Sequence, residues 1–140
     1  DPRRRRVNVF VDSIVLLAVF TDDATWSPWS THELARAAED HSLAINAIVL
    51  AEVSLGFARI EDLWSAMPWH AMHLEAIPPE AAFLAGRAFT QYRRRGGTKQ
   101  APLPDFFIGA HAAVASYALL TRDAARYRTY FPTVPLISPN

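Results

Sequence analysis

The sequence predicts an α/β protein, a three-layer α/β/α sandwich with a central, mostly parallel sheet of about five strands. Short apolar runs typical of buried strands alternate with segments whose apolar residues recur at helical spacing. Such alternation favours a parallel sheet covered by helices on both faces. The chain has 140 residues, of which 51% are hydrophobic, and this is enough for the core of a single domain over residues 7–140.

The first half of the chain predicts two buried strands, each followed by helices. Val7–Val11 is rich in Val and Phe, as buried strands are, and Ser13 stands where a helix is expected to begin. Farther on, Leu34, Ala35 and Ala38 repeat at helical spacing. The predicted elements are, in order, strand Val7–Val11, helices Ser13–Phe20 and Thr31–Asp40, strand Leu43–Asn46, and helices Ala47–Phe57 and Ile60–Met67.

The second half predicts three more strands and three helices. A Pro in the first turn of a helix costs little, because the N–H that it lacks has no partner there, and Gly96-Gly97 favours the end of that helix. The predicted elements are strand Met72–Ala76, helix Pro78–Arg94, a loop over Thr98–Leu103, helix Pro104–Ser116, strand Ala118–Leu120, helix Asp123–Tyr130 and strand Val134–Ile137.

Composition limits the class of protein. The 14 basic and 14 acidic side chains balance, so net charge favours no class of partner. Because Cys is absent, a disulfide framework and a thiolate zinc site are excluded. No apolar run approaches the ~20 residues that cross a bilayer, and no export signal is visible, so we expect a cytoplasmic protein. Residues 1–6, with arginine at positions 3–6, are expected to form a basic, mobile N-terminal segment.

Three carboxylates stand where a predicted strand gives way to a helix: Asp12, Asp105 and Asp123. Acidic residues are favoured at helix starts as caps and by the helix dipole, so capping is the structural explanation for each. In a parallel sheet, however, these junctions lie along one edge, where ligands of open α/β sheets bind. On the residues alone, capping and a shared site both stay open.

Glu52 differs from these three aspartates, because it lies within the apolar segment 48–55 on a predicted helix and not at a helix start. A carboxylate in such surroundings is costly unless it is paired, hydrogen-bonded or bound to a cation, and a salt bridge with Arg59 or Arg122 is the structural alternative. We favour a shared site, since four converging carboxylates repel one another and all-oxygen ligands suit Mg²⁺ or Mn²⁺. The histidines show no paired metal spacing and are interpreted as structural or surface residues: His32, His41, His70, His73 and His111.

Four segments carry a resemblance to a known family. In order, they resemble the four signature blocks of PIN domains, most closely those of VapC-type toxins of type II toxin–antitoxin pairs, and the resemblance covers nearly the whole chain after the arginine run. The segments are Val9-Phe10-Val11-Asp12-Ser13, Ala47-Ile48-Val49-Leu50-Ala51-Glu52-Val53, Pro104-Asp105-Phe106-Phe107-Ile108-Gly109-Ala110 and Leu119-Leu120-Thr121-Arg122-Asp123.

The resemblance implies a PIN-like sandwich and a metal-dependent endoribonuclease that acts as a toxin. Asp12, Glu52, Asp105 and Asp123 match the acidic quartet of the family, which makes them the expected catalytic and metal-binding residues. By hypothesis, Asp12 and Asp105 hold one Mg²⁺ directly, and Glu52 and Asp123 complete its shell, with Mn²⁺ as the other candidate. The metal would activate a water, and cleavage would leave a 5′-phosphate and a 3′-hydroxyl.

The resemblance also implies partners. These are an RNA substrate, a small antitoxin protein that blocks the site, and a second copy of the chain in a homodimer. Ser13 and Thr121 match positions where the family often has hydroxyl residues that support the site. The tryptophans are either core residues or part of the groove that receives the antitoxin: Trp26, Trp29, Trp64 and Trp69.

The basic residues of the second half have two interpretations. Arg93–Arg95, Lys99 and Arg122 could hold RNA phosphates and make binding depend on salt. Arg93–Arg95 also stand at the end of a predicted helix, where the dipole favours cations.

Two other functions compete with the nuclease. A catalytically inactive PIN-like module would bind RNA or protein without cleaving it, although all four acids are present. A haloacid-dehalogenase-like phosphatase also has Asp after its first strand, but it needs a second Asp two residues later, where this chain has Ile14, and a downstream lysine. The one lysine of the chain is Lys99.

Overall fold

The computed structural model describes residues 8–98 and 103–139. The predicted basic segment 1–6 and Lys99 lie outside the described residues, as does Val7, the first residue of the first predicted strand.

One parallel sheet organises the described chain. Its five strands are β1 Val9–Val11, β2 Leu43–Asn46, β3 Met72–Glu75, β4 Ala118–Leu120 and β5 Leu136–Ile137. They lie in the order β3-β2-β1-β4-β5, and every neighbouring pair is parallel. Strands β1 and β4 consist of apolar residues and are buried along their whole length, as is typical of the inner strands of a parallel sheet.

Seven helices connect and cover the strands within the described ranges. Pro28 lies in the first turn of the second helix, which therefore starts four residues before the predicted Thr31. Gly96, with φ +88°, follows the end of the fifth helix, as predicted from the glycine pair. The helices are α1 Ser13–Phe20, α2 Ser27–Asp40, α3 Ala47–Ser54, α4 Ile60–Ala66, α5 Pro79–Arg94, α6 Leu103–Ala115 and α7 Ala124–Tyr130.

The predicted fold class, a three-layer, PIN-like α/β/α sandwich with a mostly parallel sheet, requires correction. The described chain is a small α/β fold whose sheet is wholly parallel. Its helices pack on one another as well as on the sheet: α5 contacts α6 most extensively, and α1 contacts α2 and α3. The fully buried residues of α5 are the alanines Ala81, Ala85 and Ala88, whose small side chains allow a neighbouring helix to approach closely.

The strand ends bring distant parts of the sequence to one edge. The backbone N–H of Asp12 donates to the carbonyl of Leu120 at 3.0 Å, so β1 and β4 end side by side. The backbone N–H of Thr121 likewise donates to Ile137 at 3.0 Å. The chain then turns directly into α1 after β1 and into α7 after β4, which places the connecting residues at the carboxyl edge.

We find no helix in residues 8–98 and 103–139 that is long and apolar enough to cross a membrane.

Candidate functional site

Asp12 is the buried centre of the predicted site. Its side chain lies between β1 and α1 with 4% of its surface exposed. The hydroxyls of Thr121 and Tyr127 both donate to its Oδ2, at 2.8 and 3.1 Å. Burial raises the pKa of Asp12 from 3.8 to about 6, and the charges of Asp105 and Glu52 act in the same direction. Within the described structure Asp12 makes no side-chain capping bond to α1, so capping does not explain it.

Glu52 lies on α3 and is linked to Asp12 through a serine. The Ser13 hydroxyl donates to Glu52 Oε1 at 2.8 Å and lies 3.4 Å from Asp12 Oδ1. Burial raises the pKa of Glu52, and the charge of Asp105 adds to the effect. The two arginines considered as its salt-bridge partners have other contacts. Arg59 pairs with Glu61 at 3.1 Å, and Arg122 lies over the ring of Trp26 at 5.1 Å.

Asp105 lies in the first turn of α6 and pairs with a cation. Arg126 Nη1 donates to Asp105 Oδ2 at 2.6 Å. Burial nevertheless raises the pKa of Asp105, and the charge of Asp123 adds to this, while Arg126 opposes both. The Asp105 carboxylate is therefore held by a guanidinium on α7.

Asp123 is the solvent-exposed member of the carboxylate cluster, which consists of Asp12, Glu52, Asp105 and Asp123. It precedes α7 and is exposed, and its backbone N–H donates to Thr121 Oγ1 at 3.1 Å. Among the described residues its side chain makes no capping bond to α7. Its charge acts on Asp105, so it belongs to the same electrostatic neighbourhood.

The structure thus brings three of the predicted residues into mutual electrostatic contact: Asp12, Glu52 and Asp105. Asp123 joins them through Asp105. Even so, no group of three His, Cys, Asp or Glu side chains in the described ranges is arranged to hold a metal ion. One oxygen each of Asp12, Glu52 and Asp105 instead accepts a hydrogen bond from a hydroxyl or guanidinium group of the protein. Metal binding and catalysis by this quartet stay predictions.

Two site residues escaped the sequence analysis, namely Arg126 and Tyr127. Both lie on α7, three and four residues after Asp123, and residues at these spacings share one face of a helix. Tyr127 is 1% exposed, and burial, together with the charge of Asp12, raises the pKa of its hydroxyl. The spacing from Asp123 is the signal that would have pointed to them.

A second polar network supports the helix that carries Glu52. Asn46 Oδ1 accepts the N–H groups of Ile48 and Val49 at 3.0 and 3.1 Å and so caps α3. The Asn46 Nδ2 group lies 3.1 Å from His111 Nδ1. Both side chains are fully buried, as a cap without solvent access requires.

His111 continues this network to the edge strand β3. Its Nε2 lies 3.1 Å from Glu75 Oε1, and the hydroxyl of Tyr117 donates to Glu75 Oε2 at 2.8 Å. Burial lowers the pKa of His111, which favours the neutral ring. The Asn46 amide group facing Nδ1 and the Glu75 carboxylate facing Nε2 favour the tautomer that carries its proton on Nε2. The hydrogen bonds lower the pKa of Glu75 despite its burial. The burial of His111 and its contacts with Asn46 and Glu75 are those of a structural residue, as the sequence predicts.

The fold is similar to that of chains in several solved complexes. The structure of VapBC2 from Rickettsia felis bound to a promoter DNA fragment matches with a TM-score of 0.72, 18% identity and coverage of 95% of this chain and 99% of that chain. FitAcB from Neisseria gonorrhoeae matches with a TM-score of 0.69 and 16% identity, and the match covers 94% of this chain and 97% of that chain. A toxin–antitoxin complex from Klebsiella pneumoniae matches with a TM-score of 0.64 and 20% identity, and the match covers 94% of this chain and 98% of that chain. These likenesses show the fold. No family model and no curated protein matches the chain.

The comparisons correct the identification of the chain as a PIN-domain, VapC-type toxin. The matched structures are complexes, and the likeness does not identify this chain as their toxin component. At these identities and without a matching family model, membership of that toxin family is not supported. What stands is a fold shared with a component of VapBC and FitAB complexes.

Proposed function

We propose that this protein is a metal-dependent endoribonuclease and the nuclease component of a toxin–antitoxin pair. The observation that carries the proposal is the buried Asp12 carboxylate, whose pKa is raised to about 6 and which has Glu52 and Asp105 close enough to raise it further. A strongly perturbed acid beside other acids at the carboxyl edge of a parallel sheet is typical of a functional site.

The donor set fits a hard divalent cation. Asp12, Glu52, Asp105 and Asp123 supply only carboxylate oxygens, which Mg²⁺ and Mn²⁺ prefer. A bound cation would relieve the electrostatic cost that raises the pKa of Asp12, Glu52 and Asp105. When bound, such an ion lowers the pKa of a water molecule and neutralises charge on a phosphate.

The surrounding residues would hold the carboxylates in place. Thr121 and Tyr127 fix one oxygen of Asp12, which leaves its Oδ1 toward Ser13. Ser13 fixes Oε1 of Glu52 and so orients that carboxylate relative to Asp12. Because the carboxylates of Asp12 and Glu52 are already held in position, little free energy is needed to reorient them when charge develops nearby.

The test is RNA cleavage by the purified protein with Mg²⁺ or Mn²⁺ and with EDTA. We expect cleavage only with the metal, products with a 5′-phosphate and a 3′-hydroxyl, and loss of at least about 10²-fold in Asp12→Asn and Asp105→Asn. Asp40→Asn, at an exposed position on α2, is the matched control and should keep full activity. Full activity in both site variants, or in EDTA, would refute the proposal.

A partner protein is supported by apolar side chains left in solvent. Leu55, Ile60 and Trp64 are 86%, 68% and 48% exposed and lie on and between α3 and α4. Apolar side chains grouped in solvent are typical of interaction surfaces. The similar chains come from complexes, one of them described as a toxin–antitoxin complex. We therefore expect an antitoxin to cover this surface and inhibit cleavage.

This expectation is tested by co-expression with the product of a neighbouring small gene. Ile60→Lys should weaken the complex and release nuclease activity, whereas Phe83→Lys, 69% exposed on α5, should leave it intact. A homodimer is a further expectation, to be measured by the mass of the isolated chain in solution.

The inactive binding module is the second candidate function. It is favoured by the absence, within the described residues, of three acidic groups arranged around a metal position. RNA binding without cleavage in Mg²⁺ and Mn²⁺ would select it over the nuclease.

A further inference from the structure

We propose that Arg126 is an internal counterion that occupies Asp105 when no divalent cation is bound and thereby sets the affinity of the site for that cation. This inference rests on the proposed function. It assigns a role to a residue outside the predicted carboxylate quartet.

The contact between the two side chains is direct. Arg126 Nη1 lies 2.6 Å from Asp105 Oδ2, and the side chains are 34% and 28% exposed. A charge-assisted hydrogen bond this short is strong, yet the guanidinium keeps access to solvent into which it can move. Three neutral hydroxyls, those of Ser13, Thr121 and Tyr127, also donate hydrogen bonds to carboxylates of the cluster.

The positive charge of Arg126 offsets repulsion among the carboxylates, and a divalent cation, with twice the charge, would offset more of it. Asp105 acts on Asp12 and Glu52, and Asp123 acts on Asp105, so the cluster carries several interacting negative charges. One guanidinium offsets part of this repulsion. It also takes up an oxygen of Asp105 that a cation bound there would need.

The guanidinium and a divalent cation therefore compete. Both are positive and both need the same carboxylate, so a cation bound at Asp105 weakens the ion pair, and the pair weakens cation binding by the same factor. Removing the guanidinium should raise the affinity for the cation. Removing the carboxylate should abolish binding.

The experiment measures Mn²⁺ binding by the electron paramagnetic resonance signal of the free ion, without RNA. Wild type is compared with Arg126→Met, Arg126→Lys and Asp105→Asn. Arg59→Met is the matched control, because it removes an arginine that pairs at 3.1 Å with Glu61, a carboxylate outside the predicted quartet. A second readout is the rise in melting temperature on addition of Mn²⁺, which also reports whether each variant is folded.

We expect Arg126→Met to bind Mn²⁺ about three- to tenfold more tightly than wild type, which is the effect of losing a partly exposed competing ion pair. Its melting temperature should rise more with Mn²⁺ than that of wild type. Arg126→Lys should lie between the two, and Arg59→Met should equal wild type.

Each other outcome overturns the inference in a recognisable way. If wild type binds Mn²⁺ and cleaves RNA, while folded Arg126→Met binds equally or more weakly, Arg126 does not compete and the proposed function still stands. If wild type and all folded variants fail to bind Mn²⁺, both the inference and the metal-dependent nuclease are rejected.

Discussion

The Ser13 hydroxyl donates a 2.8 Å hydrogen bond to Glu52, a residue 39 positions farther along the chain. Ser13 starts α1 directly after β1, and Glu52 lies on α3 after β2. The two neighbouring strands are parallel, so both helices begin at the same edge of the sheet. One short side chain thus joins two carboxylates that are far apart in sequence, since the same hydroxyl lies 3.4 Å from Asp12.

The first prediction concerns this link. Ser13→Ala should lower RNA cleavage about ten- to a hundredfold, because a hydrogen bond to a charged group contributes about 1.5–3 kcal/mol and Glu52 would lose its fixed orientation. Ser54→Ala is the matched control, as the Ser54 hydroxyl donates only to the carbonyl of Ala51 on the same helix. Equal losses of cleavage in both variants would contradict a specific role for Ser13.

The second prediction concerns the cap of α3. Asn46→Ala should destabilise the fold by about 2–4 kcal/mol, since it removes a helix cap and leaves buried His111 Nδ1 without its donor. Asn46→Ser should cost less, because its hydroxyl can still cap the helix. Urea unfolding at pH 7 measures both. If the two variants lose equal stability, the cap is not the source of the effect.

The third prediction compares two helical glycines. A Cβ on Gly109 of α6 would lie 2.4 Å from the ring of Phe131, which is itself buried, whereas a Cβ on Gly86 of α5 meets nothing within 4 Å. Gly109→Ala should therefore destabilise by about 1–3 kcal/mol. Gly86→Ala should stabilise by about 0.5–1 kcal/mol. Thermal unfolding of the two variants tests the pair, and a stabilising Gly109→Ala would contradict the close packing of Gly109 against the Phe131 ring.

Local pattern predicted most of the elements, because the deciding interactions are local. The helix Ser13–Phe20 and the strands Leu43–Asn46 and Ala118–Leu120 have the predicted bounds. The final strand is shorter than predicted, with Leu136–Ile137 in place of Val134–Ile137. Val134 is buried, but its backbone N–H donates to the carbonyl of Phe131 in a turn, and apolar content alone does not distinguish the two.

Side-chain contacts of the site were less predictable than its position. The sequence predicts Asp12 at the edge of the sheet, where capping is an equal explanation, and the contacts of its carboxylate with Thr121 and Tyr127 in place of α1 decide against capping. The pairing of Arg126 with Asp105 joins α7 to α6 across 21 positions. Such a contact depends on how two helices pack, which a pattern of residues along one chain does not encode.

The last prediction concerns the pH dependence of stability. The pKa of Asp12 is about 6 in the folded protein against an ordinary value of 3.8, so folding favours its protonated form. The resulting stability is fully present below pH 3.8 and is lost as the pH rises through 6. At pH 7 the charged Asp12 thus destabilises the fold, by up to about 3 kcal/mol at ~1.4 kcal/mol for each pH unit of difference.

Asp12→Asn should therefore unfold at a higher urea concentration than wild type at pH 7 in EDTA, because its amide oxygen can still accept from Thr121 and Tyr127 without a buried charge. The advantage should shrink between pH 6 and pH 4 as wild type takes up its proton. Asp40→Asn, which removes an exposed charge, should show no such trend. Since the same Asp12→Asn variant is expected to lose cleavage, greater stability with less activity would indicate that the carboxylate is kept for function. A less stable Asp12→Asn at pH 7 would show instead that the charge of Asp12 is needed to hold the fold.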